Sequence, residues 1–184
     1  MTGLTRKIDI MGRIVIPKDF REKLNIKEND YLELFLNSDE IIIKKYSKLD
    51  KIKDISQNLT DIIYEYLNAE VFIAERDKII AYSGKYKSKY LNKNISNKLF
   101  KSIRRRESLF EKYKKEFEII DGEIINCSYI NETIISNFEE VGILCLYRLE
   151  DSVSEMDLKI IKIALSFFSK YLDEWYIMCY NSNI

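Results

Sequence analysis

Residues 6–18 read Arg6-Lys7-Ile8-Asp9-Ile10-Met11-Gly12-Arg13-Ile14-Val15-Ile16-Pro17-Lys18. Residues 5–9 form a strand pattern, Met11-Gly12 supplies a turn, and residues 13–16 return as a second strand. Pro17, the only proline in 184 residues, opens a short helix. Its fixed φ suits the first helical position, and it has no N–H to lose there. Phe20 and Leu24 follow four apart, on one helical face. Residues 31–36 alternate in polarity, residues 37–39 make a polar turn, and residues 41–45 return as a second hairpin.

Charge is uneven around this stretch. The whole chain balances thirty cations against thirty acids. Residues 1–27 hold seven cations and three acids, which leaves +4. Residues 28–43 hold five acids and no base. Phosphates respond to local charge, so a neutral total does not exclude DNA. Guanidinium groups suit both phosphate oxygens and the guanine edge. By composition alone, a solvated basic surface and a DNA-contact surface are equally good readings of Arg6, Lys7, Arg13 and Arg21. The strand–Gly-Arg–strand–Pro context favours DNA contact. Lys18 and Lys23, with Lys27, read as helix-surface charges that add non-specifically. No aromatic platform lies among the cations, which points to duplex DNA.

Roughly 47 residues in four short strands cannot bury enough surface to stand alone. Disulfides and metals are excluded by composition, which leaves oligomerisation. Beyond this module, residues 49–66 place Ile52, Ile55, Leu59, Ile62 and Tyr66 in a heptad-like stripe, as a packing helix does. Residues 71–74 and 79–82 read as a hairpin around Asp77-Lys78. Residues 90–106 read as one amphipathic helix, with Leu91, Ile95, Leu99 and Ile103 four apart. Arg104-Arg105-Arg106 ends it, where cations complement the helix dipole; a nucleic-acid patch is the lesser reading. Asp121-Gly122 joins residues 117–120 to 123–130 through a type I′ turn. Residues 141–147 read as a buried central strand, and residues 131–140 as an irregular loop. Ser152 and Glu155 fit a capping box that opens a long final helix. That helix carries two stripes: Ile161, Ala164, Phe168, Tyr171, Trp175, Met178; and Leu158, Leu165, Leu172, Cys179.

Several function classes fall away. With no histidine there is no Ser-His or Cys-His pair and no imidazole metal ligand. Cys127, Cys145 and Cys179 are widely spaced and odd in number, as reduced core residues are. No glycine-rich phosphate loop occurs among five glycines. No catalytic residue, cofactor or metal is therefore expected. No apolar run approaches the ~18 residues of a membrane span. A cytoplasmic protein is expected.

The quoted stretch and the run Ile41-Ile42-Ile43-Lys44-Lys45-Tyr46 resemble the signature of the AbrB-type swapped-hairpin transition-state regulators (the SpoVT-AbrB domain). Residues 71–84, residues 141–147 and the closing helix resemble the GAF-like sensor domain that follows this module in sporulation regulators. The resemblance implies an α+β protein. Residues 1–47 would form a dimeric barrel of interleaved hairpins that binds double-stranded DNA. Residues 48–69 would form a packing helix. Residues 70–184 would form a GAF-like antiparallel sheet with flanking helices, for sensing a small-molecule ligand or for oligomerisation. It implies DNA contact by Arg6, Lys7, Arg13 and Arg21, and a tetramer joined through helices 49–66 and 154–179. Glu22 departs from the pattern, since relatives often carry a second arginine there. Two rivals stay open: a MazE-type antitoxin, which shares the first module, and a thiol enzyme on a GAF fold.

Overall fold

The structure is a computed structural model, and it describes residues 4–24, 26, 28, 32–45 and 53–181. Lys27, Tyr31 and Ile52, which the sequence reading uses, lie outside the described residues. The chain divides into two compact units, Met1–Tyr46 and Ser47–Ile184.

In the first unit, helix α1 (Lys18–Lys23) starts directly after Pro17. Strands β1 (Leu32–Asn37) and β2 (Glu40–Lys45) pair antiparallel, with Leu34 opposite Ile43 and Asn37 opposite Glu40. The expected first hairpin is only half realised. The turn is made, with the Asp9 N–H donating to the Arg13 carbonyl at 3.1 Å. The arms on either side form no strand among the described residues. Their β-branched, alternating sequence supplies the side chains of a ladder, but among the described residues no backbone pairs with them.

The second unit is a five-stranded antiparallel sheet in the order β4-β3-β7-β6-β5. The strands are β3 (Glu70–Glu75), β4 (Lys78–Ser83), β5 (Ser108–Ile120), β6 (Glu123–Ser136) and β7 (Glu139–Arg148). β7 is central, as its continuous apolar run demands. Helices α2 (Lys53–Leu67) and α5 (Glu155–Asn181) cover one face. Ile63, Ile161, Phe168 and Leu172 there meet Val71, Ile73, Leu144 and Leu146. Helices α3 (Lys87–Tyr90) and α4 (Asn97–Arg104) cover the other. Tyr90, Leu99 and Ile103 there meet Phe72, Tyr82, Cys145 and Tyr147. The period-two alternation of β3 and β7 thus feeds two cores. Among the described residues, no helix is long and apolar enough to cross a membrane.

Four expectations change at the level of elements. The single helix over 90–106 is two helices. Asn92 takes a left-handed backbone (φ +67), and Ser96 restarts the helix by accepting the Leu99 N–H at 3.2 Å. Residues 131–140 are not a loop: β6 runs to Ser136 and β7 begins at Glu139. The α5 cap is Ser154 with Asp157, not Ser152 with Glu155. Ser154 Oγ accepts the Asp157 N–H at 3.1 Å, and Asp157 Oδ2 accepts the Ser154 N–H at 2.7 Å. On α2 the buried residues are Ser56, Thr60 and Ile63, while Ile62 and Tyr66 face outward. Hydrogen bonding sets that rotation. The Gln57 amide donates to the Tyr82 carbonyl at 3.1 Å, and its oxygen accepts the Tyr82 N–H at 3.3 Å. Ser83 Oγ donates to Thr60 Oγ1 at 2.9 Å. The polar face of α2 is therefore spent on the backbone of edge strand β4.

Candidate nucleic-acid interface

The loop from Asp9 to Arg13 is built by one carboxylate. Asp9 Oδ1 accepts the backbone N–H groups of Met11 (2.9 Å) and Arg13 (2.8 Å). Gly12 sits at φ +76, a conformation that favours glycine, and its N–H donates to the Asp9 carbonyl at 3.0 Å. Asp9 Oδ2 accepts the Arg13 Nε–H at 2.8 Å. The Arg13 backbone and side-chain hydrogen bonds hold the Asp9 carboxyl below its usual range. Only Nε of Arg13 is used. Both terminal guanidinium nitrogens remain able to fork around a phosphate or a base edge. Asp9 therefore part-neutralises Arg13 but also fixes it at the turn with its terminal nitrogens open. In the charge balance Asp9 enters only as an acid; the signal for its role is its position three residues before Gly12.

The other cations are exposed and less constrained. Lys18 and Arg21 lie three apart on α1, on one face, and Lys23 lies on another. Glu22 pairs with Lys18 at 3.5 Å, on well-exposed side chains, so Lys18 is part-neutralised. Arg6, Lys7, Arg21 and Lys23 have no ion pair among the described residues. Arg13 is fixed at the turn and Arg21 on the helix, whereas Arg6 and Lys7 ride on the unpaired arm.

Not one described residue between 4 and 44 is buried. Val15 is 75% exposed, Leu34 69% and Leu36 83%, and Ile8, Ile10, Ile14 and Ile41 are exposed as well. A module with that much apolar surface in water has no core of its own.

The second unit carries no reactive thiol among its described side chains. Cys127 and Cys145 are buried and unpaired. Burial pushes the Cys127 thiol up to about 12 and the Cys145 thiol well above its usual value. A thiol held protonated is a poor nucleophile. The Cys179 side chain lies outside the described part. The core face under α3 and α4 is filled by rings. Phe72 stacks on Tyr82 and Phe117 on Tyr129. The Tyr82 and Tyr147 hydroxyls meet at 2.6 Å, and Tyr82 donates to Glu70 Oε2 at 2.7 Å. Burial raises both phenols far above the usual tyrosine range. Glu70 also accepts the Lys85 N–H at 2.9 Å. Gly84 sits at φ +139, and a Cβ there would lie 2.1 Å from Glu70 Oε2. A polar cleft of about 150 Å³ opens beside this group, lined in part by Tyr64, Glu70, Tyr86 and Arg148.

Residues 51–173 match the family model described as stage V sporulation protein T C-terminal, transcription factor. Residues 5–51 match the model for the antidote-toxin recognition protein MazE, a bacterial antitoxin. Stage V sporulation protein T of Bacillus subtilis (strain 168) is 35% identical over 176 residues, 94% of this chain and 98% of that protein. Transition state regulatory protein AbrB of the same organism is 49% identical over 45 residues, 24% of this chain and 47% of that protein. In fold, the Thermosynechococcus elongatus PixJ GAF domain matches with TM-score 0.57 and 13% identity, covering 76% of this chain and 95% of that one. The GAF domain of an Acinetobacter phosphoenolpyruvate-protein phosphotransferase matches with TM-score 0.54 and 12% identity, covering 72% and 86%.

Proposed function

Because the chain belongs to the stage V sporulation protein T family of transcription factors, we propose that it regulates promoters as an intertwined dimer whose N-terminal modules grip duplex DNA through Arg6, Lys7, Arg13 and Arg21. The chain is a transcription regulator, with an AbrB-type module followed by a GAF-like domain. The observation that carries the dimer is that no described residue between 4 and 44 is buried. Each Val, Leu or Ile covered by a partner would contribute about 1.5–3 kcal/mol, and a ladder from that partner would satisfy the open arms.

A two-fold pairing doubles every cation. Two Arg13 side chains, each aimed by its own Asp9, then face one duplex with two Arg6, two Lys7 and two Arg21. Such a face releases counterions on binding and weakens steeply with salt. Lys18 and Lys23 add non-specific attraction. The reading includes no chemical step: regulation is by occupancy. A metabolite that binds the GAF-like domain changes occupancy only in so far as it prefers one arrangement of the assembly over another. Equal DNA affinity with and without every metabolite that raises the melting temperature would remove that part.

The dimer is tested by placing an acid on its apolar surface. Val15→Asp and Leu36→Asp leave the second unit untouched. Sedimentation should show a smaller assembly, and duplex binding should fall together with it. A chain that keeps both its mass and its DNA affinity after either change would contradict the reading.

A further inference from the structure

The most cationic stretch of the chain is not the N-terminal module. Residues 85–115 hold twelve lysines and arginines against two acids, Glu107 and Glu111, a net charge of +10 in a chain whose total is zero. These residues build α3, α4 and the start of edge strand β5, that is, the helix layer on one face of the sheet and the strand beside it. The opposite layer has no such bias. α2 carries one cation and three acids, and α5 three cations and four acids.

The acids that reach the α3–α4 layer are already engaged. Glu123 is paired with Lys89, Asp121 accepts from Asn97 at 2.8 and 2.9 Å, Glu107 pairs with Arg105 at 3.6 Å and Glu140 with Arg106 at 3.2 Å. Arg106 is held further by donating to the Phe138 carbonyl at 2.7 Å, and Arg104 lies over the Phe100 ring. The arginine run is thus largely structural. What remains is lysine. Lys98 and Lys101 lie three apart on the outer face of α4, whose inner face is Leu99, Ser102 and Ile103. Lys112 and Lys114 project from an irregularity in β5, where the register runs from Glu111–Tyr129 to Lys115–Cys127, setting three residues of β5 against one of β6. All four lysines are exposed, and none has an ion pair among the described residues.

We propose that the outer face of α4 and the β5 bulge form a second duplex-DNA contact surface, in which Lys98, Lys101, Lys112 and Lys114 bind backbone phosphates. The inference goes beyond the N-terminal grip and rests only on the chain acting on duplex DNA. Point charges on flexible stems suit phosphate contact without base reading. The bulge offers one well-exposed ring, Tyr113, where single-strand binding calls for a series of stacking rings. A lipid surface calls for an apolar stripe flanking the cations, and α4 turns its apolar residues inward.

The test uses the full chain with Lys98, Lys101, Lys112 and Lys114 changed to Gln, titrated at several salt concentrations with a genomic duplex enriched by the wild-type protein. The slope of log affinity against log salt should become shallower by about 0.9 for each lysine that had touched a phosphate. The loss should add to that of Arg13→Ala, as independent sites do. Affinity and slope equal to wild type at every salt would overturn the proposal. So would a loss confined to RNA or anionic vesicles. If the fourfold change unfolds the chain, Lys101→Gln alone reads one step of slope, and no step overturns it. Since Arg13→Ala is read separately, failure here leaves the N-terminal reading standing, and the reverse holds too.

Discussion

At the residue scale the decisive pair is Asp9 and Arg13. Asp9 holds two backbone N–H groups and the Arg13 Nε–H at once. Removing it frees the arginine but loses the turn that aims it. Asp9→Ala should therefore weaken duplex binding although it removes a negative charge; tighter binding in a filter or anisotropy titration would show that Asp9 acts as a repelling charge only. Glu22 is the contrasting acid. It makes no bond to the turn, and it part-neutralises Lys18. Glu22→Ala should tighten binding and steepen the salt slope by up to about 0.9 per protomer; an unchanged slope would mean that Lys18 stays clear of phosphate. The six cations are legible in the sequence because charge shows in composition. The difference between the two acids is not, because it lies in hydrogen bonds that the Asp9 side chain makes across two and four residues.

At the element scale, the alternating strands and the final helix can be read from periodicity, and boundaries fail where a side chain competes for the backbone. Asn92 and Ser96 break an apolar spacing that would otherwise carry one helix through residues 90–106. Two Ser-x-x-acid patterns stand side by side at the start of α5, and burial selects the second. Asp157 is 4% exposed and receives the Arg148 guanidinium at 3.0 and 3.3 Å. Arg148 also donates to the Leu67 carbonyl at 2.7 Å, so one side chain ties the end of β7 to the end of α2 and the start of α5. No sequence pattern predicts a bond spanning 81 positions. Removing one partner of a buried pair leaves an uncompensated charge. Arg148→Ala should destabilise the second unit by about 3 kcal/mol, seen as a lowered denaturation midpoint with unchanged slope. A shift within error would place this contact among the weak surface pairs.

At the scale of the whole molecule, apolar side chains remain uncovered in both units. In the second unit, α2 leaves Ile62 and Tyr66 exposed, and α5 leaves Met156, Ile163 and Phe167 exposed, the last three along one side of the helix. The two apolar stripes of the final helix call for cover on more than one side, by its own sheet and by a second helix. Association through these faces predicts that Phe167→Asp with Ile163→Asp lowers the oligomer by one step in sedimentation while the N-terminal pairing persists. An unchanged mass would contradict association through these faces. The GAF-like sheet is harder to read than the N-terminal module because its long strands β5 and β6 carry bulges that break the alternation.

Guanidinium groups of paired N-terminal modules meeting duplex phosphates are the core of the proposed function, and the sharpest check is duplex affinity measured against salt for wild type and Arg13→Ala. The variant should lose at least about 1 kcal/mol per altered contact and show a shallower slope, with the oligomer intact. Superimposable titrations of the two proteins across the salt series would contradict it.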